Sequence, residues 1–405
     1  MASLTKRLAL ALLLAPAATG CLGQKALKPL KNALKERNYT EARKQADALL
    51  ADSLWRDNIE VCEMGIRAEK GLNDIENTKA YLKKSYDTLS FYSTTRNIIE
   101  GCAHIARVLR REGKANAKNS AYRRACATVH QYCPNLNSGA RYLYRRGKYA
   151  EALPYLRLCL DLPADSLGRD AGISGFFPPH VTRSNAALHL TAAYRCGQYA
   201  EAPRYLATAV EEKKTRPLVI ECAALSYEAL GDTARYREWL QRGWESYPTT
   251  APFFTRLTHY YIERGDFAAT LRLAENQLAA DSGSTQAMEA RTLALFHLNR
   301  LDECAESGKA LAAADSTIAN AYYYTGAAYA GKAMQVVMPD NINSRSYRTA
   351  VKQRKQLYAE ALPYLERYRQ LAPDERKRWA PLLYKTYFAL NKSAKFAEIE
   401  KILEE

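Results

Sequence analysis

Nine cysteines, six histidines and the carboxylates are the side chains that could do chemistry in this sequence, and their spacing matches no catalytic motif. HExxH, a Gly-rich phosphate loop and GxSxG are all absent. Gly308-Lys309 comes nearest to a phosphate loop, but Ala310 follows where that loop has Ser or Thr. The histidines form no i, i+4 pair that could hold a metal ion. We therefore predict no catalytic residue, no metal site and no cofactor.

Cys21 follows an N-terminal segment that suggests a chemical role for its thiol. Lys6 and Arg7 precede the apolar segment LALALLLA, and small residues lead from it to the cysteine. Such a segment cannot span a bilayer, which needs about 20 apolar residues. The arrangement resembles a bacterial lipoprotein signal, in which residues 1–20 are removed and the cysteine sulfur is acylated. An ordinary secretory signal with an incidental cysteine is the alternative.

The residues after Cys21 indicate a location within the envelope. In the lipoprotein family an Asp after the cysteine favours retention in the inner membrane, and here that residue is Leu22. The resemblance therefore implies the outer membrane. Since no acidic cluster follows, we expect the protein to face the periplasm, anchored to the membrane by its lipid alone.

The charge of the chain predicts an acidic partner. Lys and Arg number 59 against 43 Asp and Glu, which gives a formal net charge of +16. An acidic peptide, a phosphate-rich lipid surface or nucleic acid would be attracted to this positive charge. Export makes nucleic acid the least suitable, so we predict no nucleic-acid binding.

A repeat of 34 residues organises most of the chain. Gly113 and Gly147 are 34 apart, and after an interruption the same step continues through Gly197, Gly231, Gly265 and Asn299. An amphipathic stretch of about a dozen residues lies on each side of such a marker. Around Gly231, the glycine is expected to end one helix with a positive φ, Asp232 to cap the next, and Pro248 to stop it. Each unit is thus predicted to be a helical hairpin.

This pattern resembles the tetratricopeptide repeat (TPR), with a small residue and Tyr before the turn, Ala after the turn aromatic, and Pro at the end. The match is strongest over Ala140–Pro163, His189–Val210, Ala224–Pro248 and Thr258–Asp281. It is degenerate before residue 97. The resemblance implies an all-α fold, an α-solenoid of about ten stacked TPR-like hairpins with a concave groove.

The repeat register predicts the organisation of the chain. Its segments are a signal peptide (1–20), degenerate helical repeats (21–96), TPR-like repeats (97–164), an inserted loop (165–180), further TPR-like repeats (181–333), a basic insertion (334–357), and a C-terminal repeat with capping helices (358–405).

Each insertion leaves two interpretations open. Segment 165–180 is too rich in Gly and Pro to be helix, and its Phe176 and Phe177 either tuck onto the neighbouring repeat or reach out to a partner. Segment 334–357 either lengthens the following helix with a solvated basic face or forms a dedicated binding site. In both cases the first interpretation is preferred. The cations of the second insertion are Arg345, Arg348, Lys352, Arg354 and Lys355.

Most cysteines are expected to be packing residues. Cys159 and Cys304 take positions where the repeat family has Ala, so they should fill helix contacts as small hydrophobes. Free thiols are the preferred state, and a disulfide between hairpins stays open as an alternative.

In peptide-binding members of the repeat family, ligands contact fixed positions of the first helix in each unit. Counting back from each turn glycine places eight side chains at such positions: Arg107, Arg110, Arg111, Arg141, Tyr144, Arg145, Tyr194 and Arg195. The resemblance implies that they line one strip of the concave wall, suited to an acidic or carboxylate-ended peptide. A solvated set of cations near helix ends is the alternative.

The predicted function is a non-catalytic protein–protein interaction scaffold of the bacterial cell envelope that holds an acidic peptide in its groove. One alternative is an envelope protein that binds anionic lipid or glycan surfaces. Another is a glycan-active enzyme on a helical scaffold, which would need paired carboxylates in a pocket.

Overall fold

The computed structural model describes residues 25–404, with the side chain of Ala251 excepted, and so the signal segment 1–20 and Cys21 lie outside it. Helices occupy most of the described chain. The chain divides into two compact units after Gly231.

The first unit is built from consecutive helices joined by short turns. Its helices are α1 (25–35), α2 (Tyr39–Ala51), α3 (Ile59–Tyr81), α4 (Thr88–Arg111), α5 (Ser120–Arg145), α6 (Tyr149–Asp161), α7 (Ser166–Asp170), α8 (Pro179–Arg195), α9 (Leu206–Ala209) and α10 (Arg216–Ala229). Each long helix packs on the next long helix, as in a stack of hairpins. Short 3-10 turns lie at Leu162–Ala164, Ser174–Phe176 and Ala202–Tyr205.

The second unit repeats the hairpin arrangement more regularly. Its helices are α11 (Thr233–Ser246), α12 (Ala251–Glu263), α13 (Phe267–Ala280), α14 (Thr285–His297), α15 (Leu301–Ala314), α16 (Ala319–Gln335), α17 (Arg345–Leu371), α18 (Arg376–Ala389) and α19 (Ser393–Glu404). Tyrosines such as Tyr358, Tyr368 and Tyr387 are buried in its core. The predicted all-α fold of stacked TPR-type hairpins is confirmed within each unit.

The turn chemistry predicted around Gly231 is confirmed in detail. Gly231 has φ +75°, a conformation that residues with a Cβ rarely adopt. The carboxylate of Asp232 accepts a hydrogen bond from the backbone N–H of Arg235 and so caps α11. That helix ends at Ser246, just before Pro248. The other predicted turn markers also have positive φ: Gly113, Gly147, Gly197, Gly265 and Asn299.

One interval of the repeat departs from the prediction. Between Gly113 and Gly147 the register predicts two helices, but the single helix α5 fills this interval with 26 residues. It continues through Pro134, although a proline within a helix removes a hydrogen bond and costs about 3 kcal/mol. Buried side chains on both sides of the proline, including Val129 and Leu136, keep one apolar face continuous and offset that cost.

The first insertion is partly helical, so the prediction that it contains no helix is wrong. Asp165 caps the five-residue helix α7, and its side chain accepts from the backbone N–H of Leu167. The preferred inward orientation of the two aromatic residues is confirmed. Phe177 is buried, and the ring of Phe176 lies 5.2 Å from that of His130 on α5.

The segment after Gly197 also differs from the prediction. A second helix of about a dozen residues is expected there, but the chain forms a 3-10 turn followed by the four-residue α9. Pro203 lies at the start of the 3-10 turn, where the missing N–H of a proline is tolerated.

The second insertion lengthens the following helix, as expected. A connector at 336–344 leaves α16, and the basic residues from Arg345 onward extend the N-terminal end of α17, which reaches 27 residues.

The cysteines follow the predicted packing role. All eight described cysteines are free thiols, and Cys159 and Cys304 are fully buried.

No helix within 25–404 is long and apolar enough to cross a membrane.

Candidate functional site

The structure divides the predicted basic strip into two groups. Helix α4 ends at Arg111, and α5 then runs back along it for 26 residues, or about 39 Å at 1.5 Å per residue. Arg107, Arg110 and Arg111 therefore lie near the start of α5, and we call them the near group. Arg141, Tyr144 and Arg145 lie at the far end of α5 and form the far group. The expectation of one continuous strip is wrong, because a single helix separates the two turns where the repeat pattern predicts a pair.

Two members of the far group are engaged with α8. The guanidinium Nη2 of Arg141 donates a 3.0 Å hydrogen bond to Oγ of Ser184. The hydroxyls of Tyr144 and Thr191 are 2.9 Å apart and share a hydrogen bond. These contacts join α5 to α8 and give both residues a structural role.

The last two predicted residues lie at the end of α8, close to the same group. Arg195 donates to the hydroxyl of Tyr149 at 2.7 Å, and its guanidinium lies 5.1 Å from that ring. Tyr194 is half-buried, with its ring 5.9 Å from the ring of Tyr199. Arg145 is exposed and has no hydrogen-bond or ion-pair partner among the residues that the structure describes.

In the near group, two arginines are paired within the chain. Arg110 donates to the carboxylate of Asp165 at 3.0 Å and also contacts the hydroxyl of Ser166, which ties α4 to the first insertion. Arg111 lies 2.8 Å from a carboxylate oxygen of Asp57. Surface pairs of this kind contribute little stability, typically below about 1 kcal/mol.

Beside the near group, the first unit has two adjoining concave spaces of about 730 and 750 Å³ that share Arg56 and His104. We call them together the N-terminal groove. Helices α2, α3 and α4 and the turn before α3 form its walls. Its polar lining consists of Arg43, Asp47, Arg56, Asp57, Glu69, Asn97, Glu100, His104, Arg107, Arg110 and Arg111.

Glu69 is the most deeply placed charge of the N-terminal groove. Its side chain is only 7% exposed. One carboxylate oxygen accepts a 3.0 Å hydrogen bond from the Asn97 amide, and the other, Oε2, is buried without a partner among the described residues. Burial raises the pKa of Glu69, although the Asn97 hydrogen bond and nearby Arg43 and Arg96 oppose the shift. A buried oxygen without a donor favours a ligand that brings one.

Two further carboxylates line the same groove. Desolvation raises the pKa of Asp47, with the charge of Arg43 acting against it. Desolvation likewise raises the pKa of Glu100, and Arg96 and Arg107 oppose it. The groove thus presents three carboxyl groups whose pKa is raised, of which only Glu69 is buried.

The mouth of the N-terminal groove is basic. His104 Nε2 lies 2.9 Å from the backbone carbonyl oxygen of Arg56 and 3.2 Å from a carboxylate oxygen of Asp57, which orients its ring. Arg107 is exposed and takes part in no ion pair among the described residues, although Glu100 is close enough to feel its charge. A ligand that spans this groove would meet mainly guanidinium groups at the mouth and, further in, three carboxyl groups with Arg43 beside them.

Sequence reasoning missed part of the lining of this groove. Arg56 and Glu69 match no repeat position of a recognisable unit, since the pattern before residue 97 is degenerate, whereas His104 lies nine residues before the turn marker Gly113. No short-range signal links them, because α2, α3 and α4 bring them together only in the packed unit.

A smaller groove lies in the second unit. It has a volume of about 300 Å³ and lies between α12 and α14. His259, Ile262 and Leu293 contribute to its largely apolar lining, and Glu289 at its edge accepts a 2.6 Å hydrogen bond from the Asn320 amide. Counting back from Gly265 and Asn299 in the repeat register reaches these positions, so the sequence held the signal for this groove.

No protein-family profile matches the sequence, and no curated protein matches it. Solved structures do match. The peptide-binding TPR protein YrrB is 15% identical, covering 47% of this chain and 86% of its own, with a TM-score of 0.33. The C-terminal part of a TPR protein from Cytophaga hutchinsonii is 14% identical, covering 65% and 93%, with a TM-score of 0.41. The P58(IPK) TPR domain is 13% identical, covering 91% and 98%, with a TM-score of 0.28. Matches at this level carry no argument about ligands.

Proposed function

We propose that this chain, which has the fold of the tetratricopeptide-repeat proteins, is a non-catalytic interaction scaffold that holds an acidic peptide segment in its N-terminal groove. The observation that carries the proposal is the placement of two groups in that groove that have no ion-pair or hydrogen-bond partner among residues 25–404: the guanidinium of Arg107 at the mouth and Oε2 of the buried Glu69.

The two ends of the groove suit an extended peptide. A carboxylate of the peptide would pair with Arg107, where no competing ion pair has to be broken. A backbone N–H further along the peptide would donate to Glu69 Oε2 and satisfy a buried acceptor. An extended segment offers both kinds of group at regular intervals.

The test is fluorescence anisotropy with the labelled peptide (Glu-Gly)5, and with (Gln-Gly)5 as its neutral counterpart. Arg107→Glu should raise the Kd for the acidic peptide at least tenfold. Arg145→Glu is the matched control, because it makes the same charge change at another exposed, unpaired arginine of the first unit. We expect less than a twofold change for that control.

Equal losses in the two variants would mean that net charge, rather than the groove, attracts the peptide, and the proposal would then be wrong. Binding to anionic vesicles that survives Arg107→Glu, without binding of the peptide, would instead support the alternative of a lipid-binding envelope protein.

The proposed location is the cell envelope, with a lipid anchor at Cys21 in the outer membrane and the chain facing the periplasm. The support is the signal-like segment that precedes the cysteine. Labelled palmitate should be incorporated by the wild type and by a Cys126→Ser control, and not by Cys21→Ser. Incorporation into Cys21→Ser would exclude the anchor.

A glycan-active enzyme is the second candidate, because Asp47, Glu69 and Glu100 line one groove and a raised pKa suits a general acid. Release of reducing sugar from cell-wall glycan that is lost in Glu69→Gln would favour this candidate. Unchanged glycan in the presence of the wild type would count against it.

A further inference from the structure

A second concave surface lies in the second unit. It has a volume of about 550 Å³ and forms where α16 ends, α17 begins and α18 packs against them. We call it the α17 patch. Its apolar lining comprises Met334, Met338, Tyr347, Val351, Tyr358, Tyr384 and Phe388, and its cationic lining comprises Arg354, Lys355 and Lys385.

Large apolar side chains are unusually exposed at the α17 patch. Phe388 is 70% exposed, and Met334 and Val351 at the lining are exposed as well. On the connector beside them, Val337 is 84% and Ile342 65% exposed. Contiguous exposed apolar groups rimmed by polar ones mark interaction sites in soluble proteins.

The rim of the α17 patch carries cations without partners. Arg345, Arg348, Lys352, Arg354 and Lys355 are all exposed, and none of them takes part in an ion pair among the described residues. Lys385 has its ammonium 3.5 Å from the sulfur of Met334 rather than beside a carboxylate. Between 345 and 359 the sequence has no Asp or Glu, and the connector contributes one carboxylate, Asp340.

Stability of the helix does not explain these cations. Arg345 and Arg348 lie in the first turns of α17, after the N-cap Ser344. The N-terminal end of a helix carries partial positive charge, so cations there are unfavourable, and the neighbouring cations add mutual repulsion. An anionic partner would remove both penalties.

We propose that the α17 patch docks an acidic amphipathic helix of a partner protein. The apolar face of such a helix would place side chains in the cavity, where Met334 and Met338 can adapt to their shape. Its acidic flanks would meet Arg348, Lys352 and Lys355 on the rim.

Two other occupants fit less well. A bilayer presents a plane and would leave this cavity of about 550 Å³ unfilled. Residues 1–24 of the chain itself contain Lys6 and Arg7 and no Asp or Glu, so that segment offers no charge complementary to the rim.

The test uses a fluorescein-labelled 18-residue peptide of Leu and Glu arranged with helical periodicity, and a scrambled peptide of the same composition. The amphipathic peptide should bind at least ten times more tightly than the scrambled one. Arg348→Glu/Lys352→Glu and Phe388→Ser should each raise its Kd at least tenfold. All of these side chains are exposed, so the variants should keep the wild-type circular dichroism.

Matched controls exist in the same unit. Arg272→Glu/Lys377→Glu makes the same charge change at two exposed cations outside the patch, and Leu403→Ser removes another exposed apolar side chain. Each should change the Kd less than twofold. Equal binding of the two peptides, or equal effects of patch and control variants, would overturn the proposal.

Two further outcomes separate this surface from other sites. Binding of phosphatidylglycerol vesicles without binding of the peptide would identify a membrane surface instead and overturn the proposal. If Arg107→Glu abolishes binding of the amphipathic peptide and the patch variants have no effect, the peptide binds in the N-terminal groove. That result would also overturn the proposal.

Discussion

The hydroxyl of Tyr122 donates a 2.7 Å hydrogen bond to a carboxylate oxygen of Asp170. This contact joins the first turn of α5 to the end of α7 in the first insertion. Together with the pair between Arg110 and Asp165, it covers the N-terminal half of α5 with the inserted segment. The insertion is therefore part of the first unit rather than a loose appendage.

Tyr122→Phe removes that hydrogen bond and keeps the buried ring. We expect the free energy of unfolding to fall by about 1 kcal/mol, the typical contribution of one hydrogen bond. Hydrogen exchange over 165–177 should become faster at the same time. Tyr81→Phe, at an 86% exposed tyrosine, is the control and should change neither quantity measurably. An unchanged exchange rate in Tyr122→Phe would show that the bond does not hold the insertion.

His189 should make the stability of the first unit depend on pH. Its ring is fully buried beside Glu201, Arg157 and Arg204, and desolvation lowers its pKa to about 4, with Glu201 opposing the shift. The unfolded chain, with an ordinary pKa near 6.5, takes up a proton first as the pH falls. The contribution of the neutral ring is therefore complete above about pH 6.5 and is lost towards pH 4.

Denaturation in urea at pH 7.5 and pH 5.0 measures this effect. The wild type should lose about 2 kcal/mol more than His189→Gln between these two pH values. The exposed His180 provides the control, and His180→Gln should keep the wild-type dependence. If His189→Gln loses as much stability as the wild type, the buried ring does not titrate as described.

Two glycines of α3 should respond in opposite directions to alanine. A Cβ at Gly71 would overlap the ring of Tyr39, with Cδ2 at 2.5 Å, whereas a Cβ at Gly65 would meet Ala46 at an ordinary 3.5 Å. Gly71→Ala should destabilise the protein by about 1–3 kcal/mol through overpacking. Gly65→Ala should be neutral or stabilise by up to about 1 kcal/mol, because alanine favours the helix. Thermal unfolding distinguishes them, and similar shifts in both would contradict the close approach of α2 and α3.

Burial predicts the order in which thiols react. Cys126 and Cys196 are only half-buried, whereas Cys133, Cys159 and Cys304 are fully buried. Burial also raises the pKa of Cys133 and of Cys304 to about 12, so little thiolate is present at neutral pH. In native protein, N-ethylmaleimide should modify the first pair well before the other three, as followed by peptide mass spectrometry. Early modification of Cys159 would show that the core opens readily.

The hairpins and their turns could be predicted from the sequence. The residues that permit a positive φ, such as Gly231 and Asn299, recur every 34 positions, and local caps such as Asp232 accompany them. These features act over a few residues, so they leave a readable pattern in the chain. The packing role of Cys159 and Cys304 followed from the same register.

The candidate site depended on tertiary structure, because helix length and direction decide which side chains meet. Because α5 continues through Pro134, the chain makes one turn fewer here than the repeat predicts. Arg107 and Arg145 therefore lie at opposite ends of one helix. Packing of α2, α3 and α4 then brings Glu69 and Arg56 to one groove with Arg107. The local sequence pattern determined where the hairpins turn. Which side chains the hairpins bring together was decided by the burial of a continuous apolar face across the proline, and no local signal encodes that burial.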